Sequence, residues 1–151
     1  MASNWETVID RVEKYTEELG IPEVAFHRAI NKEDFIPEDP SNISGKDLSD
    51  KLFEYSSYVS FLNAELGRID AQYTAISAEL SGIIEEVSLV NKISKNKAKA
   101  RILLENPDMK KAEKRLVELE CLQKRITGLR DGYNVRLQAC SREVSIRSLE
   151  R

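Results

Sequence analysis

Nine basic side chains lie close together in the sequence between residues 92 and 115. Three acidic residues share this stretch, so its net charge is +6, nine positive against three negative. Lysine and arginine neutralise phosphates without demanding exact geometry, and a dense basic patch is typical of nucleic-acid-binding surfaces. The predicted DNA-binding residues are Lys92, Lys95, Lys97, Lys99, Arg101, Lys110, Lys111, Lys114 and Arg115.

A second interpretation of this basic stretch stays open. Charge runs are common on exposed helices, where water solvates them. The same residues therefore also fit a solvated helical tip, or a surface that forms ion pairs between subunits.

Residue types that support catalysis or metal binding are sparse. The chain has one histidine, His27, and two cysteines, with neither a glycine-rich phosphate loop nor a cysteine pair at metal spacing. On one helix, Cys121 and Cys140 would lie about 28 Å apart, too far for a disulfide. Adjacent Glu85 and Glu86 diverge around a helix. We therefore expect no catalytic residue, no metal site, no cofactor and no enzymatic activity.

The overall composition favours long helices with much solvated surface. The 151 residues are 41% hydrophobic and 32% charged, with only six glycines and four prolines. The apolar fraction is enough for one folded domain, which argues against wholesale disorder. No apolar run exceeds three residues, so we expect no membrane-spanning segment, no secretory signal and a cytoplasmic location.

Charge is divided unequally along the chain. Residues 1–91 hold 18 acidic and 7 basic side chains, a net of −11, whereas residues 92–151 hold 8 acidic and 16 basic, a net of +8. This asymmetry indicates a polyanionic partner for the basic part. The alternative is that the two halves attract each other.

The first 45 residues predict a small acidic helical segment followed by a linker. Ser3 and Glu6 form a capping-box pattern, and Gly20 with Pro22 supplies a stop. A second short helix is expected from Pro22, and residues 31–45 have the composition of a loop. We therefore divide the chain into residues 1–45 and residues 46–151.

The clearest pattern is a heptad repeat that begins after this linker. Thirteen apolar residues alternate steps of four and three over six heptads, which predicts a helix with a coiled-coil seam. They are Leu48, Leu52, Tyr55, Val59, Leu62, Leu66, Ile69, Tyr73, Ile76, Leu80, Ile83, Val87 and Val90. Beyond this seam, basic residues take the heptad positions, and we expect the helix either to persist outside the seam or to bend near residue 93.

A second seam follows a predicted break at Asn106-Pro107-Asp108. Asparagine favours an N-cap, proline the first helical position and aspartate the first turn. Apolar residues then recur at helical spacing from Ala112 to Val144, although Asp131-Gly132 could interrupt that helix. The fold class predicted is all-α: a long antiparallel helical hairpin with coiled-coil seams, oligomeric, plus the small N-terminal segment.

Four aromatic residues precede the basic stretch. Phe53, Tyr55, Tyr58 and Phe61 lie within nine positions, and aromatic rings can stack on single-stranded bases. They belong to the acidic half, however, so core or interface packing is the favoured interpretation.

Three segments resemble the T4-type phage recombination mediators, the UvsY family. The segment Tyr55–Gln72 (YSSYVSFLNAELGRIDAQ) is similar to the family's aromatic-rich central helix and its Arg-Ile-acidic-Ala-Gln element. Lys99-Ala100-Arg101 resembles the family's Lys-Ala-Arg basic motif, and Ala139–Leu149 (ACSREVSIRSL) resembles its closing helix. The three segments follow the family's order within roughly residues 50–150.

The resemblance implies a small oligomeric protein, a ring, that binds single-stranded DNA. It implies two protein partners, a strand-exchange recombinase and a single-strand-binding protein, and a location in the host cytoplasm if the chain is phage-encoded. It also gives the closing helix a role between subunits. The predicted oligomerisation residues combine that helix with the first seam: Leu62, Leu66, Ile69, Tyr73, Val144, Ile146 and Leu149.

Two functional hypotheses follow. The first is a non-enzymatic mediator of DNA recombination and repair that loads a recombinase in place of single-strand-binding protein. The second is a coiled-coil interaction protein, such as a phage inhibitor of a host nuclease or defence enzyme, whose acidic half mimics nucleic acid and which does not bind DNA directly.

Overall fold

The computed structural model describes residues 4–22 and 40–151. Within these ranges the chain forms four α-helices and no strand: α1 (Asn4–Glu18), α2 (Gly45–Asn91), α3 (Lys95–Glu105) and α4 (Pro107–Leu149). A short 3-10 turn, Pro40–Asn42, precedes α2. The prediction of an all-α protein is confirmed.

Helix α1 ends as its sequence predicts. Gly20 adopts φ +68°, a left-handed conformation that glycine tolerates, and its N–H donates to the Glu17 carbonyl over 3.1 Å. Val12 and Thr16 are the buried side chains of this helix. Ser3 and the second short helix expected from Pro22, which would carry His27, lie outside the described residues apart from Pro22 itself.

Ser44 is the N-cap of α2. The Ser44 hydroxyl accepts the Asp47 N–H over 3.1 Å and donates to the Asp47 carboxylate over 2.7 Å. From there the helix runs for 47 residues, because heptad-spaced apolar residues line one side of it. Of the thirteen predicted seam residues, all but Val90 are buried or half-buried.

The described residues form two compact units, each assembled from stretches that are distant in sequence. The first unit holds residues 4–15 and 66–125, and the second holds residues 16–22, 40–65 and 126–151. The division of the chain at residue 45 stays a prediction.

In the second unit, α2 and α4 contact each other in opposite order along the sequence. The Tyr58 ring lies edge-on to the Tyr133 ring, with centroids 4.9 Å apart. Arg130 donates to the Asn63 side chain over 3.3 Å. Nearer the C-terminus, Arg147 donates to the Ile43 carbonyl over 2.7 Å. Residue numbers therefore rise along α4 as they fall along the segment 43–63.

The first unit shows the same reversed order. Gln123 donates to Asp70 over 2.9 Å, and Arg115 donates to Gln72 over 3.2 Å. Helix α1 joins this unit through an ion pair of 3.6 Å between Arg11 and Glu118.

Helix α2 ends at Asn91, and α3 begins at Lys95. The expectation that α2 persists past residue 93 is therefore wrong. The helix is broken near the position where a bend was the alternative. Lys92 adopts φ +52°, and the Ile93 N–H donates to the Ser88 carbonyl over 3.1 Å. These are the positions of a Schellman motif, which closes a helix C-terminus. Ser94 then caps α3 by accepting the Lys97 N–H over 3.3 Å.

Asn106 joins α3 to α4 without any other residue between them. Its N–H donates to the Ile102 carbonyl over 2.8 Å and so closes α3. Its side-chain oxygen accepts the N–H groups of Asp108 (3.0 Å) and Met109 (3.4 Å) and so opens α4. The predicted restart at Asn106-Pro107-Asp108 is confirmed.

Helix α4 continues through Asp131 and Gly132, so the interruption considered for that pair does not occur. Packing explains the outcome, because apolar seam residues on both sides of Gly132 are buried and hold the helix together. The buried seam residues are Leu119, Leu122, Ile126, Leu129, Tyr133 and Cys140.

Candidate nucleic-acid interface

The basic tip, as we call the nine basic residues between positions 92 and 115, belongs to the first unit and lies on two helices and at one residue before them. Lys92 follows α2, four residues lie on α3, and the remaining four lie in the first three turns of α4. Across the helix breaks, α3 contacts α4 through Lys99 and Glu113 over 2.9 Å and contacts the end of α2 through Arg101 and Asn91 over 3.4 Å.

Inward packing of apolar residues decides which basic side chains face solvent. On α3, Ala98 and Ile102 are buried, so Lys97 and Arg101 lie on the exposed side. On α4, Met109 and Ala112 are half-buried, and the exposed positions between and after them are Lys110, Lys111 and Lys114.

Four of the nine basic residues are held by partners within the chain. Lys99 contacts Glu113 over 2.9 Å, and Lys95 contacts Glu85 over 3.8 Å. Arg101 pairs with Glu105 over 3.2 Å and donates to the Asn91 side chain over 3.4 Å.

Arg115, the fourth, belongs to a more buried group. It pairs with Glu118 over 3.0 Å, and Glu118 also forms an ion pair of 3.6 Å with Arg11 of α1. The Glu118 side chain is only 15% exposed, so Arg115 and Arg11 neutralise a largely buried carboxylate. Arg115 therefore stabilises the fold by neutralising the Glu118 carboxylate.

The other five basic residues make no ion pair within residues 4–22 and 40–151, and all five are exposed. We call them the unpaired lysines: Lys92, Lys97, Lys110, Lys111 and Lys114. Their ammonium groups can bind an anion without breaking an existing interaction. The sequence could not show that Lys95 and Lys99 are paired, because Glu85 and Glu113 meet them only through the fold. Arg101 and Arg115, by contrast, pair with Glu105 and Glu118 at helical spacing, which local sequence permits.

The four aromatic residues have different environments. Tyr55 is buried and its ring lies 5.8 Å from that of Tyr133, as packing predicted. The Tyr58 hydroxyl donates to Glu54 over 3.0 Å, and this hydrogen bond, with partial burial, raises the pKa of Tyr58. Phe53 and Phe61 are exposed, so they are not core residues of this chain, and packing at an interface stays a prediction for those two.

Predicted oligomerisation residues fall into two groups. Leu62, Leu66 and Ile69 are buried by their own chain, and Tyr73 is half-buried. The C-terminal three, Val144, Ile146 and Leu149, are exposed. Their part in self-association stays a prediction, which now depends on the C-terminal group because the first group is already covered.

Other chemistry-bearing residues do not assemble into a site within the described part of the chain. Cys121 is a half-buried thiol and Cys140 a buried one, and neither is part of a disulfide. In the same residues no group of three or more histidine, cysteine, aspartate or glutamate side chains could hold a metal ion. None of the described helices is long and apolar enough to cross a membrane.

Sequence reasoning missed a set of exposed apolar side chains beside the basic tip. Leu89 and Val90 end α2, and Leu104 lies near the end of α3; all three are strongly exposed. Val90 was expected in the seam and is instead exposed, next to the end of α2 at Asn91. Comparisons with protein-family models, with curated proteins and with solved structures gave no match to this chain.

Proposed function

We propose that the basic tip binds single-stranded DNA and that the chain acts as a non-enzymatic recombination mediator. The observation that carries the proposal is the presence of five exposed lysines without ion-pair partners in the described residues, all within one unit. Phosphate binding there replaces hydration and counterions rather than an intramolecular salt bridge, so counterion release favours the complex.

The three unpaired lysines of α4 are the centre of the proposed contact. Lys110 and Lys114 are four residues apart and Lys111 lies between them, so they share one exposed side of the first turns of α4. Lys92 and Lys97 add positive charge from the end of α2 and from α3. Lys95, Lys99, Arg101 and Arg115 contribute to the field, but their positions are set by carboxylate partners.

Binding of a fluorescent oligonucleotide over a series of salt concentrations tests the DNA contact. For single strands the slope of log affinity against log salt is about −0.7 per phosphate neutralised. Replacing Lys110, Lys111 and Lys114 with alanine should therefore make the slope less negative by about 2. Lys46, Lys124 and Arg142 are exposed cations outside the tip, and their triple alanine variant is the control of equal charge change.

Two outcomes would contradict the DNA contact. One is no binding of the native chain at low salt. The other is an equal loss in the tip variant and in the control variant, which would indicate attraction to net charge alone. A duplex of the same length is the third arm, and binding that favours the duplex would reassign the ligand.

The mediator role is supported by the resemblance of residues 50–150 to the T4-type mediators, together with the unpaired lysines. A strand held at the tip would be displaced from its single-strand-binding protein and presented to the recombinase. The measurement is recombinase filament assembly on coated single strands, with and without the chain. We expect assembly to accelerate with the native chain and not with the triple-lysine variant; no acceleration by the native chain would refute the role.

The finer architecture that we propose is an antiparallel hairpin of α2 and α4 with coiled-coil seams, assembled into an oligomer. It is supported by the reversed order of contacts within each unit and by the buried seam residues. An oligomer would carry several copies of the basic tip, and several weak contacts to one DNA strand would together raise the overall affinity through multivalency. Light scattering tests the oligomer, and a monomer at every concentration would exclude it.

A further inference from the structure

Two exposed apolar patches of opposite charge lie in the first unit, and neither is covered by the other. One is at the start of α1, where Trp5 is 64% exposed and Ile9 is 43% exposed. The other is the apolar tip surface, which we define as Leu89, Val90 and Leu104, with exposed fractions of 73%, 73% and 87%. Large apolar side chains exposed to this extent are typical of interaction surfaces when they are clustered.

The α1 patch is acidic. Trp5 and Ile9 are one turn apart, and Ile9 and Glu13 are again one turn apart, so the three share one side of the helix. Helix α1 carries five acidic and two basic side chains, a net of −3. Asp10 and Glu13 are exposed and make no ion pair within the described ranges.

The apolar tip surface is basic at its edges. Leu104 shares the exposed side of α3 with Arg101 and Lys97, which lie three and seven residues before it. Val90 is two residues before Lys92. Arg101, on the exposed side of α3, donates a hydrogen bond to Asn91, the last residue of α2. Lys92 and Lys97 have no carboxylate partner in the described residues, so the surface presents apolar groups with uncompensated positive charge.

Within one copy of the chain these patches stay apart. Helix α1 is fixed to its own chain by the Arg11–Glu118 ion pair of 3.6 Å and by the hydrogen bond of 2.6 Å from Arg68 to the Tyr15 hydroxyl. Both patches remain exposed with these contacts in place. Neither patch therefore has an occupant among residues 4–22 and 40–151.

We propose that the Trp5–Ile9–Glu13 side of α1 docks on the apolar tip surface of a second copy of this chain. Tryptophan is a frequent anchor of protein interfaces, and here it would pack on Leu89, Val90 and Leu104. Glu13 and Asp10 of one copy would lie beside Lys92 and Lys97 of the next copy. The contact uses Lys92 and Lys97 from the edge of the proposed DNA site, whereas the centre of that site, Lys110, Lys111 and Lys114, takes no part. The inference therefore does not depend on DNA binding.

The proposed contact joins two different patches, so it is heterologous. Each copy offers one α1 patch and one tip surface, and repetition gives a closed ring or an open chain rather than a symmetric dimer. Five apolar side chains make a small interface, below the roughly 1,200 Å² typical of stable complexes. Association should therefore depend on concentration, and its ionic part should weaken as salt screens the charges.

A mixing experiment tests this arrangement by sedimentation velocity without nucleic acid. The first variant, Trp5→Ser with Ile9→Ser, removes the α1 patch; the second, Leu89→Ser with Leu104→Ser, removes the tip surface. All four side chains are exposed, so far-UV circular dichroism and thermal unfolding should match the native chain. Each variant alone should associate at least tenfold more weakly than the native chain.

The mixture supplies the decisive result. Each variant keeps the patch that the other lacks, so an equimolar mixture should regain pairing through this contact, one α1 patch on one tip surface. Both variants keep Val144, Ile146 and Leu149, so any C-terminal association is the same in the mixture and in each variant alone. A symmetric contact would not be restored by mixing. The proposal is overturned if the native chain is monomeric at all concentrations, if either variant associates like the native chain, or if the mixture does not pair.

The outcome is distinguishable from failure of the proposed function. The triple alanine variant at Lys110, Lys111 and Lys114 should self-associate like the native chain while it loses DNA affinity. If the native chain binds no oligonucleotide, the mixing result still decides the docking contact; if mixing fails, the salt dependence of DNA binding still decides the tip.

Discussion

At the scale of single residues, lysines that are neighbours in the sequence differ in whether they have an ion-pair partner. Lys99 and Lys97 are two positions apart, yet Lys99 is held by Glu113 and Lys97 has no ion-pair partner in the described residues. Composition predicted the basic tip, but the partner of Lys99 lies across a helix junction, so local sequence could not reveal it. Phe53 illustrates the same limit, because its exposure depends on which side of α2 the partner helix covers.

Lys92 carries a backbone conformation that favours glycine, with φ +52°. A non-glycine residue there costs about 1 kcal/mol or somewhat more. We expect Lys92→Gly to raise the free energy of unfolding by about 0.5–1 kcal/mol, since glycine's greater freedom in the unfolded chain offsets part of the gain. Urea denaturation of both chains measures this change in the free energy of unfolding. Lys92→Ala removes the same charge but keeps the unfavourable conformation, so a gain of equal size with alanine would contradict the explanation.

At the scale of helices, periodicity and capping residues predicted most of what the structure shows. The heptad positions of α2 and the restart at Asn106 depend on local spacing and hydrogen-bonding side chains, which are readable in sequence. The end of α2 was placed less well, because no glycine or proline marks it. Lys92 occupies the position where glycine is usual, and the signals that remain are Ser94 as a cap and the loss of apolar seam residues.

Asn106 allows the capping interpretation to be tested. Its side chain accepts two N–H groups at the start of α4, and alanine would leave them to water. We expect Asn106→Ala to lower the free energy of unfolding by about 1 kcal/mol. Asn96, exposed in the first turn of α3, is the matched control. Ser94 is the cap of that helix, so Asn96→Ala removes no cap and should be close to neutral. Equal losses at both positions in urea denaturation would rule out a capping role.

At the scale of the whole molecule, the mild overall charge conceals a division between acidic and basic parts. Part of the division is used internally, as the contact between Lys95 and Glu85 shows. The unpaired lysines are the part that is not neutralised within the described residues. The net charge of −3 is therefore no argument against a polyanionic ligand, because binding responds to the local field of the tip.

The junction at Asn106 also has a consequence for the order of folding. Lys99 and Glu113 lie 14 positions apart and meet across this junction, whereas Arg147 and the Ile43 carbonyl are separated by 104 positions. Closing the longer loop costs about 2 kcal/mol more in chain entropy, so we expect α3 and the start of α4 to pair early. In stopped-flow folding, Ile102→Ala should chiefly slow folding, whereas Cys140→Ala, near the distant contact, should chiefly speed unfolding. The reverse pattern of rate changes would place the folding nucleus near the contact of Arg147 with Ile43. With the expected pattern, the most basic region of the chain is the first to acquire structure.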